Sequence, residues 1–234
     1  MIKAVIFDID GTLYPYAPAN LAGETAMCIA LERVLGHTVA QEDFSVLLSE
    51  VKAAVKAHTE GTAACHNRLL YAQRICETVG CFSPQNTLVL YNAYWDSFLE
   101  AMQLYDGYPA LLTELRRRGL KIGFCTDLTA QIQMRKMIRL GICTLGDVVV
   151  TSEESGAEKP SPIPFLLTLE KLGVRPEEAV MIGDSAEKDM AGAIRAGIHT
   201  IRFGAPCPQC PGAEYVQALH RLLEEMLHEA DESF

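Results

Sequence analysis

Met1-Ile-Lys-Ala-Val-Ile-Phe-Asp8-Ile-Asp10-Gly11-Thr12 is the stretch whose reading decides the fold. A short apolar run, residues 4–7, ends abruptly in two aspartates, a glycine and a threonine. Val, Ile and Phe in such a run predict a β-strand. Gly11 predicts a sharp turn, because glycine adopts positive φ without steric cost. Asp8 and Asp10 therefore stand at the carboxyl end of a buried strand, where open α/β sheets place their ligand crevices. Two carboxylates this close repel one another, and a bound cation is the usual reason to tolerate the repulsion. Solvated acids in a loop are the plainer alternative.

Beyond this strand the pattern becomes helical from about residue 20 to 103, with apolar residues at three- and four-residue spacing, as in Leu47, Leu48, Val51 and Val55. Gly36, Gly61 and Gly80 with Pro84 punctuate it into about four helices. A crossover between strands is usually one helix, so this block reads as a second, all-helical domain inserted after the first strand. Alternation then resumes: helix over 109–118, strand 120–125, helix 129–140, strand 147–150, helix 162–172, strand 179–182, helix 186–196, strand 199–203 and a closing amphipathic helix 212–229. That alternation predicts an α/β core with a parallel sheet covered on both faces. The expected division is a core of residues 1–15 and 105–234 and an inserted helical domain of 16–104.

Composition bounds the function. At 234 residues the chain suits one domain plus a sizeable insertion. A net charge of −10 argues against nucleic-acid binding, which depends on clustered Lys and Arg. The compact basic run Arg116-Arg117-Arg118 closes a predicted helix, where cations suit the dipole. No stretch approaches the ~18–20 apolar residues of a membrane span. A strand beginning at Ile2 leaves no room for a signal peptide, and a cytoplasmic location is the default expectation. Of the eight cysteines, Cys28, Cys65, Cys76 and Cys125 lie in apolar segments and read as small buried residues. Cys207 and Cys210, bracketed by Pro206, Pro208 and Pro211, read as a structural loop ahead of a metal or redox pair, because no second ligand pair lies nearby.

Three further segments join the first. Residues 120–127 form a strand ending in Thr126-Asp127; Glu158-Lys159-Pro160 places a lysine just before a helix; residues 179–189 form a strand ending in Gly183-Asp184, with Asp189 five positions on. In this order and spacing the four segments, spanning Asp8 to about Phe203, resemble the signature of the haloacid dehalogenase-like hydrolase superfamily, in its phosphatase branch with a helical cap after the first strand. The resemblance implies a Rossmann-like three-layer core with the Asp8 strand central. It also implies Mg²⁺ held by Asp8, Asp184 and the backbone carbonyl of Asp10, with Asp189 acting through water or as an orienting group.

The chemistry of these residue types agrees. A carboxylate is a competent covalent nucleophile towards phosphorus, and Asp8 is the candidate. Asp10 can protonate the leaving oxygen and later activate water. Thr126, neighbouring backbone N–H groups and Lys159 can bind phosphoryl oxygens. Each residue also has a plainer reading: Asp184 and Asp189 as helix N-cap and first-turn acid, Lys159 as a surface lysine, Thr126 as a strand-end cap. Asp127 departs from the Asn common in the family, and is expected to cap the helix starting near Thr129 and to offer phosphate only its backbone N–H. The reading is thus a Mg²⁺-dependent phosphomonoester hydrolase acting through an aspartyl phosphate on a small phosphorylated metabolite: a sugar phosphate, phosphoglycolate or a nucleotide. Alternatives are a sugar phosphomutase, disfavoured by Gly183 where many mutases carry Glu, and a non-catalytic phosphate sensor. Oligomeric state is not legible.

Overall fold

A computed structural model describes residues 1–203, 219–221 and 223–225. The chain forms two compact units, Met1–Pro15 with Gln103–Phe234, and Tyr16–Met102. Cys207 and Cys210 lie outside the described residues, as does the expected helix over 212–229 apart from residues 219–221 and 223–225, which are helical.

The first unit is built on a five-stranded parallel sheet in the order β3-β2-β1-β4-β5, from β1 Ala4–Phe7, β2 Lys121–Thr126, β3 Val148–Thr151, β4 Ala179–Gly183 and β5 His199–Arg202. β1 is central, paired in register with β2 (Phe7 opposite Phe124) and with β4 (Phe7 opposite Ile182). All four of its side chains are buried, the unalternating pattern of a parallel strand covered on both faces. Ala4 and Ile6 join Cys125, Met181, Phe165, Leu169 and Ala193 in one core cluster. That face is covered by α8 (Ile163–Leu172) and α9 (Ala191–Arg195). On the other face Phe7 meets Tyr108 of α5 (Tyr108–Arg117) edge-on, with ring centroids 6.2 Å apart. α6 (Ala130–Leu140) follows β2, and the short α7 (Ser152–Ser155) follows β3.

The second unit holds α1 (Tyr16–Leu35), α2 (Gln41–Thr59), a 3₁₀ turn (Ala63–His66), α3 (Arg68–Thr78) and α4 (Pro84–Ala101). α1 and α4 form its principal packed pair. Gly23 of α1 lets them approach: a Cβ there would meet Tyr94 Cε2 at 2.8 Å. Tyr94, Trp95 and Phe98 make the aromatic centre, with Trp95 and Phe98 centroids 5.1 Å apart.

Two local departures from the expected pattern matter for the site. The segment after β4 is not a plain α-helix: residues Ala186–Met190 wind as a π-turn before α9 begins. Ser185 caps it, its hydroxyl accepting from Lys188 N at 3.0 Å. Such turns often mark functional positions, because the extra residue re-aims a side chain. At the end of β1, Gly11 turns the chain with φ +83°, and Leu13 N donates to Ile9 O at 3.1 Å to close the turn.

Gly11 has no room for a methyl group either, since a Cβ would lie 2.6 Å from Asp184 Oδ2. Gly11→Ala therefore combines a left-handed backbone with overpacking and is expected to cost about 2–4 kcal/mol. Urea unfolding of the variant checks this; a loss under ~0.5 kcal/mol, the range of neutral surface substitutions, would show that the turn relaxes freely.

Candidate active site

The carboxyl ends of β1, β2 and β4 bring the expected residues together within the sheet unit. Asp8 follows β1 directly, its N–H donating to Ile182 O of β4 at 2.9 Å. Asp184 follows β4, and the π-turn returns Asp189 towards it. One carboxylate oxygen from each of Asp8, Asp184 and Asp189 lies within 4.8 Å of the others. Asp8 and Asp189 are buried and Asp184 is half-buried.

Lys159, which is also buried, organises this cluster. Its Nζ donates to Asp8 Oδ1 at 2.8 Å, to Asp189 Oδ1 at 2.6 Å and to Cys125 O at 3.3 Å. Burial alone would favour a neutral amine, but Asp189 and Asp8 hold the Lys159 pKa well above its ordinary value. Asp189 is fixed a second time by Ser185 N, which donates to Oδ2 at 3.0 Å. The same closeness explains Gly183, where a Cβ would meet Asp189 Oδ2 at 2.4 Å.

The three carboxylates outweigh this one ammonium. Burial raises the Asp8 pKa, Lys159 opposes the rise, and repulsion from Asp189 and Asp10 adds to it. Asp184 is raised as well, by burial first and then by Asp189. A hard divalent cation among such oxygens would return both groups to their ionised forms, so the donor set fits Mg²⁺.

Asp10 belongs to a different network. Its carboxylate accepts from Lys136 Nζ at 2.6 and 2.7 Å, from Gln133 Nε2 at 3.0 Å, and from the Tyr14 hydroxyl. Lys136 and Gln133 are both 0% exposed. Burial works to raise the Asp10 pKa, but the Lys136 charge and these hydrogen bonds prevail and lower it. The side chain of Asp10 thus faces Lys136 rather than the three-carboxylate cluster. Gln133 Nε2 also reaches Thr126 Oγ1 at 3.0 Å and Asp127 O at 2.7 Å, tying the end of β2 to Asp10.

Neither Lys136 nor Gln133 was expected from the sequence. Both lie on α6, whose three-residue spacing of Gln133 and Lys136 puts them on one face with Ala130. A polar pair on a helix ordinarily reads as its solvated side, and only the fold shows this face buried.

Asp127 corrects an expectation. It does not cap α6: Thr129 occupies the N-cap position without a side-chain hydrogen bond, and Ala130 N donates to Glu153 Oε2 at 2.8 Å. Asp127 instead accepts from Lys159 N at 3.0 Å and from Lys188 Nζ at 3.0 Å. Its charge is turned aside by a lysine from the π-turn, a partner too distant in the chain for the sequence to reveal. Thr126, 1% exposed, stands at the end of β2 as expected.

A model of the family described as haloacid dehalogenase-like hydrolase matches residues 2–197. The chain belongs to that family, and within it is a phosphatase. A protein of Halopiger xanaduensis named ribulose-1,5-bisphosphate 5-phosphatase is 44% identical over 87% of this chain and 85% of its own length. A Methanopyrus kandleri protein named glyceraldehyde 3-phosphate phosphatase is 37% identical over 87% of this chain and 84% of its own. Among solved structures, a HAD phosphatase from Thermococcus onnurineus superposes with a TM-score of 0.66 at 28% identity, covering 90% of this chain and 91% of that one.

The Asp10–Lys136 contact is directly testable. Because the folded pKa of Asp10 lies below its ordinary 3.8, its ionisation contributes stability above about pH 4, and that contribution is lost as pH falls through the folded value. Lys136→Met leaves the carboxylate without its cation and is expected to cost about 3 kcal/mol at pH 7. The deficit relative to wild type should shrink as pH falls from the raised folded pKa that burial gives Asp10 in the variant towards the lowered one of wild type. Equal deficits across pH in denaturant titrations would show that Lys136 contributes packing rather than charge.

Proposed function

We propose that Asp8 is the nucleophile of a Mg²⁺-dependent phosphomonoesterase whose substrate is a small phosphorylated sugar or sugar-like metabolite. The observation that carries the assignment is the convergence of Asp8, Asp184 and Asp189 at the carboxyl ends of adjacent strands, with Lys159 bridging Asp8 and Asp189. The names of the Halopiger and Methanopyrus relatives support the substrate class.

Asp8 attacks phosphorus with one carboxylate oxygen, forming an acyl phosphate as the ester oxygen departs. Lys159 contributes positive charge beside Asp8 where phosphoryl oxygens gather, and Thr126 Oγ1 and the N–H groups following Asp8 and Thr126 donate to those oxygens. Asp10 gives its proton to the departing oxygen and, in the second half-reaction, takes one from the water that attacks the acyl phosphate. Lys136 favours the ionised, basic form of Asp10 that this second step needs. An approaching phosphate, being anionic, favours the protonated form needed for the first. Asp8, Asp184 and the Asp10 carbonyl would hold Mg²⁺, with Asp189 orienting, and the bound ion would neutralise charge that otherwise keeps nucleophile and phosphate apart. Asp127, paired with Lys188, offers its backbone N–H only.

Two outcomes test this reading. Chelation should abolish turnover of p-nitrophenyl phosphate and added Mg²⁺ should restore it; full activity after exhaustive chelation would remove the metal from the account. Asp8→Asn should lower kcat by at least ~10³-fold, because an amide cannot form the acyl phosphate. Near-normal kcat in that variant would place the nucleophile elsewhere.

A further inference from the structure

Gln133 lies in the first half of α6, fully buried, and its side chain bonds through nitrogen alone. That nitrogen has two protons and three acceptors: Asp127 O at 2.7 Å, Thr126 Oγ1 at 3.0 Å and Asp10 Oδ2 at 3.0 Å. The amide oxygen Oε1, also buried, meets no donor among the described residues. Buried polar atoms are normally paired. This amide works as a donor only, and everything it donates goes to the carboxyl end of β2 and to Asp10.

The three acceptors do not depend on it equally. Asp10 also accepts from Lys136 Nζ and from the Tyr14 hydroxyl, so it keeps a cation and a further donor without Gln133. Thr126 Oγ1 has Gln133 as its one side-chain partner among the described residues. A hydroxyl carries one proton and two lone pairs. With the amide N–H on one lone pair, the Thr126 proton is turned away from Gln133. Without that N–H, the proton is free to swing towards the Asp10 carboxylate, which is bonded to the same nitrogen and so lies close by. The backbone beside Thr126 is held by the same group. Asp127 O immediately precedes Leu128, whose φ of +80° is left-handed, a conformation that residues other than glycine rarely adopt. On the far side, Leu128 O accepts from Ser152 Oγ at 3.3 Å and from Glu153 N at 3.4 Å. The rival account makes Gln133 a structural cross-link between α6 and β2 with no bearing on phosphate.

We propose that Gln133 is a positioning residue for phosphate: its Nε2 keeps the Thr126 hydroxyl available as a donor to phosphoryl oxygen instead of letting it turn to Asp10. This deepens the phosphomonoesterase reading and rests on its assignment of Thr126 to phosphoryl oxygens.

The experiment is a double-mutant cycle on the full chain, with Gln133→Met, Thr126→Val and the two combined, each checked for folding by circular dichroism. The first readout is the dissociation constant of inorganic phosphate with Mg²⁺ present, which needs no turnover. Each single variant should weaken binding by ~10-fold or more, the loss of a hydrogen bond to an anion. The double variant should stay within ~3-fold of Thr126→Val, because the two residues act as one. Losses that multiply in the double variant, or binding unmoved by Gln133→Met, overturn the proposal. The second readout is kcat/KM for aryl phosphates of graded leaving-group acidity. Action through Thr126 predicts the same loss in Gln133→Met for good and poor leaving groups. A loss that grows as the leaving group worsens would route the effect through Asp10 and overturn the assignment. Should Gln133→Met fail to fold, the NMR signals of the Gln133 side-chain amide decide. Phosphate should shift them in wild type and leave them in place in phosphate-saturated Thr126→Val; a shift in neither, or an equal shift in both, overturns the proposal. Wild type that binds phosphate yet hydrolyses no aryl phosphate removes the phosphomonoesterase reading while the binding cycle still decides the role of Gln133. Wild type that does neither removes both.

Discussion

One ammonium group makes the site possible. Lys159 Nζ lies 2.8 Å from Asp8 and 2.6 Å from Asp189, and without it two buried carboxylates would face each other across the ends of β1 and β4. The rest of the architecture meets the demands of that contact. β1 and β4 are adjacent and central, which places Asp8 beside the β4 exit. The π-turn at Ala186–Met190 swings Asp189 back, and Gly183 and Gly11 leave room for the carboxylates. Burial first, and then repulsion between the carboxylates, raises the pKa values of Asp8 and Asp184 despite Lys159. A site that remains short of positive charge suits a divalent cation and an anionic substrate held with it.

The proposed acid–base group and the proposed nucleophile sit in different hydrogen-bond networks. Asp10 is only two residues from Asp8, yet its carboxylate answers to Lys136, Gln133 and Tyr14, while Asp8 answers to Lys159. Burial pushes both pKa values up; the different cation contacts let Asp8 rise and bring Asp10 down. Two carboxylates of one turn thus acquire different protonation behaviour from their surroundings, the arrangement by which enzymes separate the roles of like groups.

Much of this was legible in the chain itself. The apolar run 4–7 ending in Asp8, the strand ending in Gly183-Asp184, and the helical block between Tyr16 and Ala101 carry local signals: burial pattern, glycine, and three- to four-residue spacing. Strand order was not, because alternation of strands and helices is compatible with several parallel arrangements. Gln133 and Lys136 escaped notice because a polar pair on an amphipathic helix has the same spacing whether it faces water or Asp10. The role of Asp127 is hidden for a related reason. Its position before a helix suggested a cap, whereas its actual partner, Lys188, comes from a segment 61 residues away. Local pattern reports what a residue can do, and long-range partners decide what it does.

The central claim is that phosphorus passes through a covalent bond to Asp8. The most direct test is reductive trapping: the enzyme is quenched during steady-state turnover and treated with borohydride, which reduces an aspartyl phosphate to homoserine, and peptides are then sequenced by mass spectrometry. The account predicts homoserine at position 8, dependent on substrate and absent without it. Turnover with position 8 unmodified, or with the reduced residue found at Asp10, Asp184 or Asp189, would contradict it.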